Sequence, residues 1–171
     1  KDTKGLLSIA DKYKINLSIV KAVVKSNQDR KLLLTKRIIN ILGNKLKNKK
    51  ITFLGVTFKP NTDDMRDSNS LVMIPYLSKK GSKISYYDPT GKKKEFNKIK
   101  NCYFYDNIKK SCENADLIIL NTEWDEFKSI DFKKLIKNKK FKIYDLRNLY
   151  NIEEMRRKKI NYHSIGRSST N

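Results

Sequence analysis

The residues best equipped for chemistry in this chain sit in three short polar segments. The first lies within "ITFLGVTFKPNTDDMRDSNS", residues 51–70, where an apolar run gives way abruptly to Lys59, Asp63, Asp64 and Arg66 around a proline. The second, "NTEWDEF", supplies Thr122, Glu123 and Trp124, and the third, "DLRNLY", supplies Arg147. A lysine and an arginine such as Lys59 and Arg147, near an aromatic ring, suit a phosphorylated ligand that carries a base or a sugar. The neighbouring acids have simpler readings. Asp67 and Ser68 are of the types that cap a helix start. Asp63 and Asp64 form a turn or hold Lys59 and Arg66 in place. Trp124, alone of its kind, packs in the core or lines the site.

Such residues need a frame. From residue 50 onward β-rich runs recur at 51–56, 83–87, 102–105, 117–121, 141–145 and 161–164, with helical segments at 68–80, 107–114, 131–138 and 152–159 between most of them. Strands alternating with helices imply βαβ units with right-handed crossovers. The runs "ITFLGV" and "DLIILN" are nearly all apolar, as strands buried on both faces must be. The expected fold is therefore α/β: a Rossmann-like, doubly wound, mainly parallel six-stranded sheet. In such a sheet ligands bind beyond the carboxyl ends of the strands, and all three polar segments follow a strand there. Pro75 is a misfit that should kink its helix or mark a late start.

Residues 3–46 show helical spacing instead. Leu6, Leu7, Ile9 and Ala10 belong to a short helix. Apolar positions from Leu17 to Leu42 continue at three- and four-residue steps toward Gly43, a natural helix end. Residues 17–42 thus predict one long helix of roughly seven turns, preceding the sheet as a packing, connecting or dimerisation element. Residues 1–46 are expected to form part of a central helical region and residues 47–171 the Rossmann-like domain.

Composition narrows the function. The chain has 171 residues and a formal net charge of +21, a balance that first points to nucleic acid or an anionic surface. Its cations are mostly lysines scattered beside Asn and Ile, which reads as compositional bias, so no nucleic-acid partner is expected; the charge still steers small anions inward. Cys102 and Cys112 form no paired motif, and His163 is the sole histidine, which argues against a zinc site. Both cysteines read as small core residues in a reducing compartment. No run reaches a membrane span of about 20 residues, no signal peptide is visible, and a cytoplasmic, membrane-free protein is expected. The first residue, Lys1, points to a piece of something larger. The G-x-G-x-x-G dinucleotide fingerprint is missing, with only Gly55 where it would begin, so phosphate contacts should come from side chains.

"GVTFKPNTDDMRDS", "NTEWDEF" and "DLRNLYN", in that order, resemble the carboxyl-terminal nucleotide-sugar-binding domain of the UDP-glucose/GDP-mannose dehydrogenase family, in its UDP-glucose 6-dehydrogenase branch. "KDTKGLL" resembles the piece that follows the family's catalytic cysteine in G-x-C-F-P-K-D-T. Residues 3–46 then correspond to the central helices, and "IGR" at 165–167 to the closing strand. The resemblance covers nearly the whole chain.

It implies an enzyme that oxidises UDP-glucose to UDP-glucuronate with two NAD in succession, through a cysteine-bound intermediate that water hydrolyses. By position, Phe58, Lys59 and Arg147 would contact the nucleotide sugar. Lys1 and Arg66 would meet NAD, and Asp2 would activate the hydrolytic water. The partners implied are UDP-glucose, an NAD domain of the same or another chain, and a second copy in a homodimer built on the long helix. Leu146 stands where the family usually has glycine in D-G-R, which puts the Arg147 loop in question. The cysteine and the G-x-G-x-x-G domain are not among these residues, and the piece alone should not turn over substrate. Two other readings remain: a non-catalytic nucleotide-sugar-binding or assembly module, and a dehydrogenase for GDP-mannose or UDP-N-acetylmannosamine.

Overall fold

The computed structural model describes residues 2–136, 138 and 140–170. Two helices, α1 (Asp2–Lys12) and α2 (Ser18–Ile41), precede an alternating series. It comprises β1 (Lys50–Leu54), α3 (Ser70–Lys79), β2 (Lys83–Tyr87), β3 (Cys102–Phe104), α4 (Ile108–Cys112), β4 (Leu117–Leu120), α5 (Phe132–Leu135), β5 (Lys142–Asp145), α6 (Ile152–Arg157) and β6 (Asn161–Ser164). Short 3-10 turns stand at Lys94–Phe96 and Asp125–Ser129. The six strands form one sheet in the order β3-β2-β1-β4-β5-β6, every pair parallel. That order is doubly wound: the chain turns back at β1 and β4, whose carboxyl ends face a common crevice.

Alternation along each strand divides the core. Ile51, Phe53, Leu117, Ile119 and Tyr144 face one side, where they meet Leu34, Ile38 and Ile41 of α2 and Met73, Ile74 and Leu77 of α3. Leu54, Ile118, Leu120, Ile143 and Tyr162 face the other, against Cys112, Trp124, Phe127, Phe132 and Met155. Cys112 is a free, buried thiol that desolvation pushes up to about 12, as expected of an inert core residue. The long helix forms as its periodicity predicts. It ends where Gly43 turns left-handed at φ +65° and donates its N–H to the Asn40 carbonyl. No helix among the described residues is long and apolar enough to cross a membrane.

Several boundaries differ from expectation. α3 starts at Ser70 rather than Ser68 and continues past Pro75 to Lys79, so the proline lies inside the helix. The late start has a local cause. Asp67 adopts a left-handed φ of +62°, and Ser68 turns its hydroxyl to the Val56 carbonyl at 2.7 Å. Asp67 is accordingly no cap, while Ser68 Oγ does accept the Ser70 N–H at 3.2 Å. α5 is a single turn instead of the eight residues expected. Asp131 caps its start by accepting the Lys134 N–H, and Ile136 has already returned to extended backbone.

Gly55, just beyond β1, shows how tight the crevice is. It sits at φ +75°, and a Cβ there would come 2.5 Å from the Cβ of Thr122, itself fully buried. Gly55→Ala should therefore cost about 2–4 kcal/mol through backbone strain and overpacking, read as a shift in urea unfolding; an unchanged midpoint would contradict the close approach.

Candidate functional site

The carboxyl edge of the sheet is built from three loops, each fixed by groups out of water. After β1, the Val56 and Thr57 N–H groups both donate to Oδ2 of buried Asp88, at 2.8 and 3.3 Å. Asp88 directly follows β2 and lies 3.9 Å from the buried Lys93 ammonium. The Val56 carbonyl accepts from Ser68 and Ser70, and Thr122 Oγ1 donates to the Thr57 carbonyl at 2.8 Å. The Phe58 N–H closes a turn on the Asp64 carbonyl at 2.9 Å. After β5, Asp145 accepts the backbone N–H groups of Arg147, Leu149 and Tyr150 and the Tyr162 hydroxyl. Burial beside that carboxylate pushes the Tyr162 phenol upward.

Arg147 is the point where the loops meet. Its Nε donates to Glu123 after β4, and its Nη2 donates to the Phe58 carbonyl after β1 at 3.2 Å. Its remaining guanidinium N–H groups make no hydrogen bond among the described residues. Beside it lies a small cleft of about 50 Å³ lined by Thr57, Phe58, Asp67, Ser68, Asn69, Asn121 and Arg147. A larger cleft of about 360 Å³ runs between α1, α2 and the β1–α3 loop. Phe58, Asp67 and Asn69 line both.

The structure thus brings Phe58 and Arg147 together, with the Phe58 ring half exposed for stacking. Lys59 is exposed on the same loop, lines neither cleft, and its ammonium makes no hydrogen bond or ion pair among the described residues. Arg66 is exposed (73 % of its side chain) and forked onto Asp64, with Nε and Nη2 both on the carboxylate at 2.6–3.0 Å. Asp64 is therefore the scaffold expected for Arg66, while Asp63 makes no such bond to Lys59. Asp2 begins α1 in solvent, next to Thr3 and Lys4 on the wall of the larger cleft. Lys1 lies outside the described residues. Trp124 is buried in the second core cluster, which leaves Phe58 as the aromatic of the site.

Leu146, where the resemblance gives glycine, needs no left-handed backbone, since that conformation falls on Asn148 at φ +55°. Its side chain is buried against the first core cluster, and the Arg147 loop closes without a glycine. Sequence reasoning missed Asp88 and Asp145 as organisers. The available signal was an aspartate ending an apolar strand directly before a turn, in "YYDPT" and "IYDLR".

Residues 52–152 match the UDP-glucose/GDP-mannose dehydrogenase family, UDP binding domain. The chain belongs to this family. Similar proteins include UDP-glucose 6-dehydrogenases of Rhizobium meliloti (34 % identical, covering 98 % of this chain and 38 % of that protein) and Rickettsia bellii (35 %, 97 % and 39 %). The chain thus spans less than two fifths of the length of these curated relatives. Among solved structures, a UDP-glucose dehydrogenase from Pyrobaculum islandicum superposes with a TM-score of 0.77 at 21 % identity, covering 98 % of this chain and 36 % of its own. An NDP-N-acetyl-D-galactosaminuronic acid dehydrogenase from Methanosarcina mazei Go1 gives 0.77 at 25 %, with coverages of 98 % and 37 %.

Asp145 holds the Arg147 loop through four donors, so Asp145→Asn, which turns an amide N–H toward some of them, should lower stability by about 2–3 kcal/mol. Urea unfolding followed by circular dichroism is the check; a loss below half that size would mean the loop holds itself.

Proposed function

We propose that this chain is the carboxyl-terminal portion of an NAD-dependent UDP-glucose 6-dehydrogenase, and that its strand-end crevice holds the UDP-sugar. The observation that carries the reading is Arg147, which joins the loops after β1, β4 and β5 and still offers guanidinium donors beside the half-exposed Phe58 ring. Phosphate oxygens suit the remaining fork and the nearby Lys59 ammonium; the ring offers a face for the base or sugar. The curated relatives that favour glucose are UDP-glucose 6-dehydrogenases at 30–35 % identity over at least 97 % of this chain.

NAD, held mainly by a half of the enzyme outside these residues, would supply the hydride acceptor for the sugar carbon. Arg66 is the residue of this chain suited to meet it: Asp64 fixes two guanidinium nitrogens, and the outer edge stays in solvent for a phosphate or amide oxygen. Asp2, beside Thr3 and Lys4 of the larger cleft, would activate the water that hydrolyses the covalent intermediate. An NAD-binding half, in the same or another polypeptide, completes the site. Residues 1–46 supply the central helices.

A homodimer through the helices accounts for apolar side chains left in water there. Ile19 is 79 % exposed and Leu33 61 % exposed, with Leu6, Ile9, Val23 and Leu32 also open.

Titrating the 171-residue chain with UDP in a calorimeter tests the reading. Saturable binding is expected, weakened about tenfold or more by Lys59→Ala or Arg147→Ala, in line with the loss of a charge-assisted hydrogen bond. Absence of heat at millimolar UDP would sink it. A monomer by light scattering at high micromolar concentration would sink the dimer.

A further inference from the structure

Beyond the apolar core that Met65 shares with α2, one residue joins the helical layer to the ligand loop by polar contacts. Asp67, between Arg66 and Ser68, accepts from the Lys4 ammonium of α1 at 2.7 Å through Oδ1. The Lys31 ammonium of α2 lies 3.9 Å from the same oxygen and donates to the Asp67 carbonyl at 2.8 Å. One aspartate thus meets both helices, through its side chain and its backbone. The bonded Lys4 holds its carboxyl below the usual carboxylate range, while desolvation lowers the Lys31 ammonium against the pull of Asp67.

Two further features separate this contact from an ordinary surface ion pair. Asp67 holds a left-handed φ of +62°, a conformation that costs a non-glycine residue free energy and persists only when its surroundings fix it. It also forms, with Phe58 and Asn69, the wall common to both clefts. A shift of α1 or α2 relative to the loop would move that wall and with it the half-exposed Phe58 ring.

We propose that Asp67 is a positioning residue: its clamp on Lys4 and Lys31 sets the gap between the helical layer and the strand-end loops, and so the shape of the crevice that takes the UDP moiety. The inference rests on the function proposed above for that crevice. It makes no direct contact between Asp67 and the ligand, whose phosphates the carboxylate would repel. Its effect passes through Phe58.

The test uses Asp67→Gly, which keeps the left-handed backbone without strain and removes the carboxylate, together with Lys4→Met and the double variant. UDP binding to the 171-residue chain is measured by calorimetry, and amide exchange of α1 and of residues 58–67 by mass spectrometry. Each single change should weaken UDP about threefold to fivefold, the worth of a partly exposed ion pair, with the thermal midpoint unchanged or raised for Asp67→Gly. The double variant should lose no more than either single one. In both singles, α1 and residues 58–67 should exchange faster together. Unaltered exchange in both segments, or additive losses of affinity, would overturn the clamp. A chain that binds no UDP yet shows coupled loosening would overturn the ligand reading while leaving the clamp in place.

Discussion

Two carboxylates withdrawn from water, Asp88 and Asp145, organise everything at the carboxyl edge of the sheet. An isolated buried carboxylate is costly, and each is stabilised by converging donors. Asp88 gathers two backbone N–H groups from the β1 loop, the Thr90 hydroxyl and, at 3.9 Å, the Lys93 ammonium. Asp145 gathers three backbone N–H groups and a phenol. The donors engaged by Asp88 include the amides directly after β1, the place where a dinucleotide fold usually offers N–H groups to a pyrophosphate. The domain keeps the doubly wound frame, but these amides are turned to Asp88, and Lys59 and Arg147 stand at the same edge.

This division of labour explains the charge in the β1–α3 loop. Asp64 orients Arg66, Asp67 ties the loop to the helices, and Lys59 is left without an acidic partner among the described residues. Asp64 and Asp67 are structural, while the Lys59 and Arg66 side chains stand at the surface. Arg147 combines both roles, closing the edge through Glu123 and the Phe58 carbonyl and keeping donors for an anion.

Much of this was legible in the residues. Apolar runs and helical spacing locate all six strands and the long helix, because burial on two faces or one stripe leaves a periodic trace. The three polar segments fall on one edge because parallel strands must all end there. Helix starts were less legible. The left-handed Asp67 is bonded by Lys4 and Lys31, distant in sequence, and α5 stops after one turn because Ile136 returns to extended backbone while its side chain stays buried in the core. Asp88 and Asp145 looked like ordinary turn formers, since the amides they bind carry no side-chain signature. The asparagine excess, which composition gives as bias, has a structural use: six of the nine non-glycine residues with left-handed backbone among those described are Asn.

The strand order has a consequence for how the chain reaches this state. β1 is flanked by β2 and by β4, and Ile51 finds its partner Leu117 only far along the chain. During synthesis from the amino end, β1 stands with one edge unpaired until the segment "DLIILN" emerges, and pairing then requires closing a long loop. Apolar, β-prone and flat, "ITFLGV" is in that interval the segment most open to joining the same strand of another nascent copy. Beside it, Lys49 and Lys50 place two positive charges at the strand's entrance, where they set like copies against one another until Asp116 arrives to take up the Lys49 ammonium at 2.8 Å.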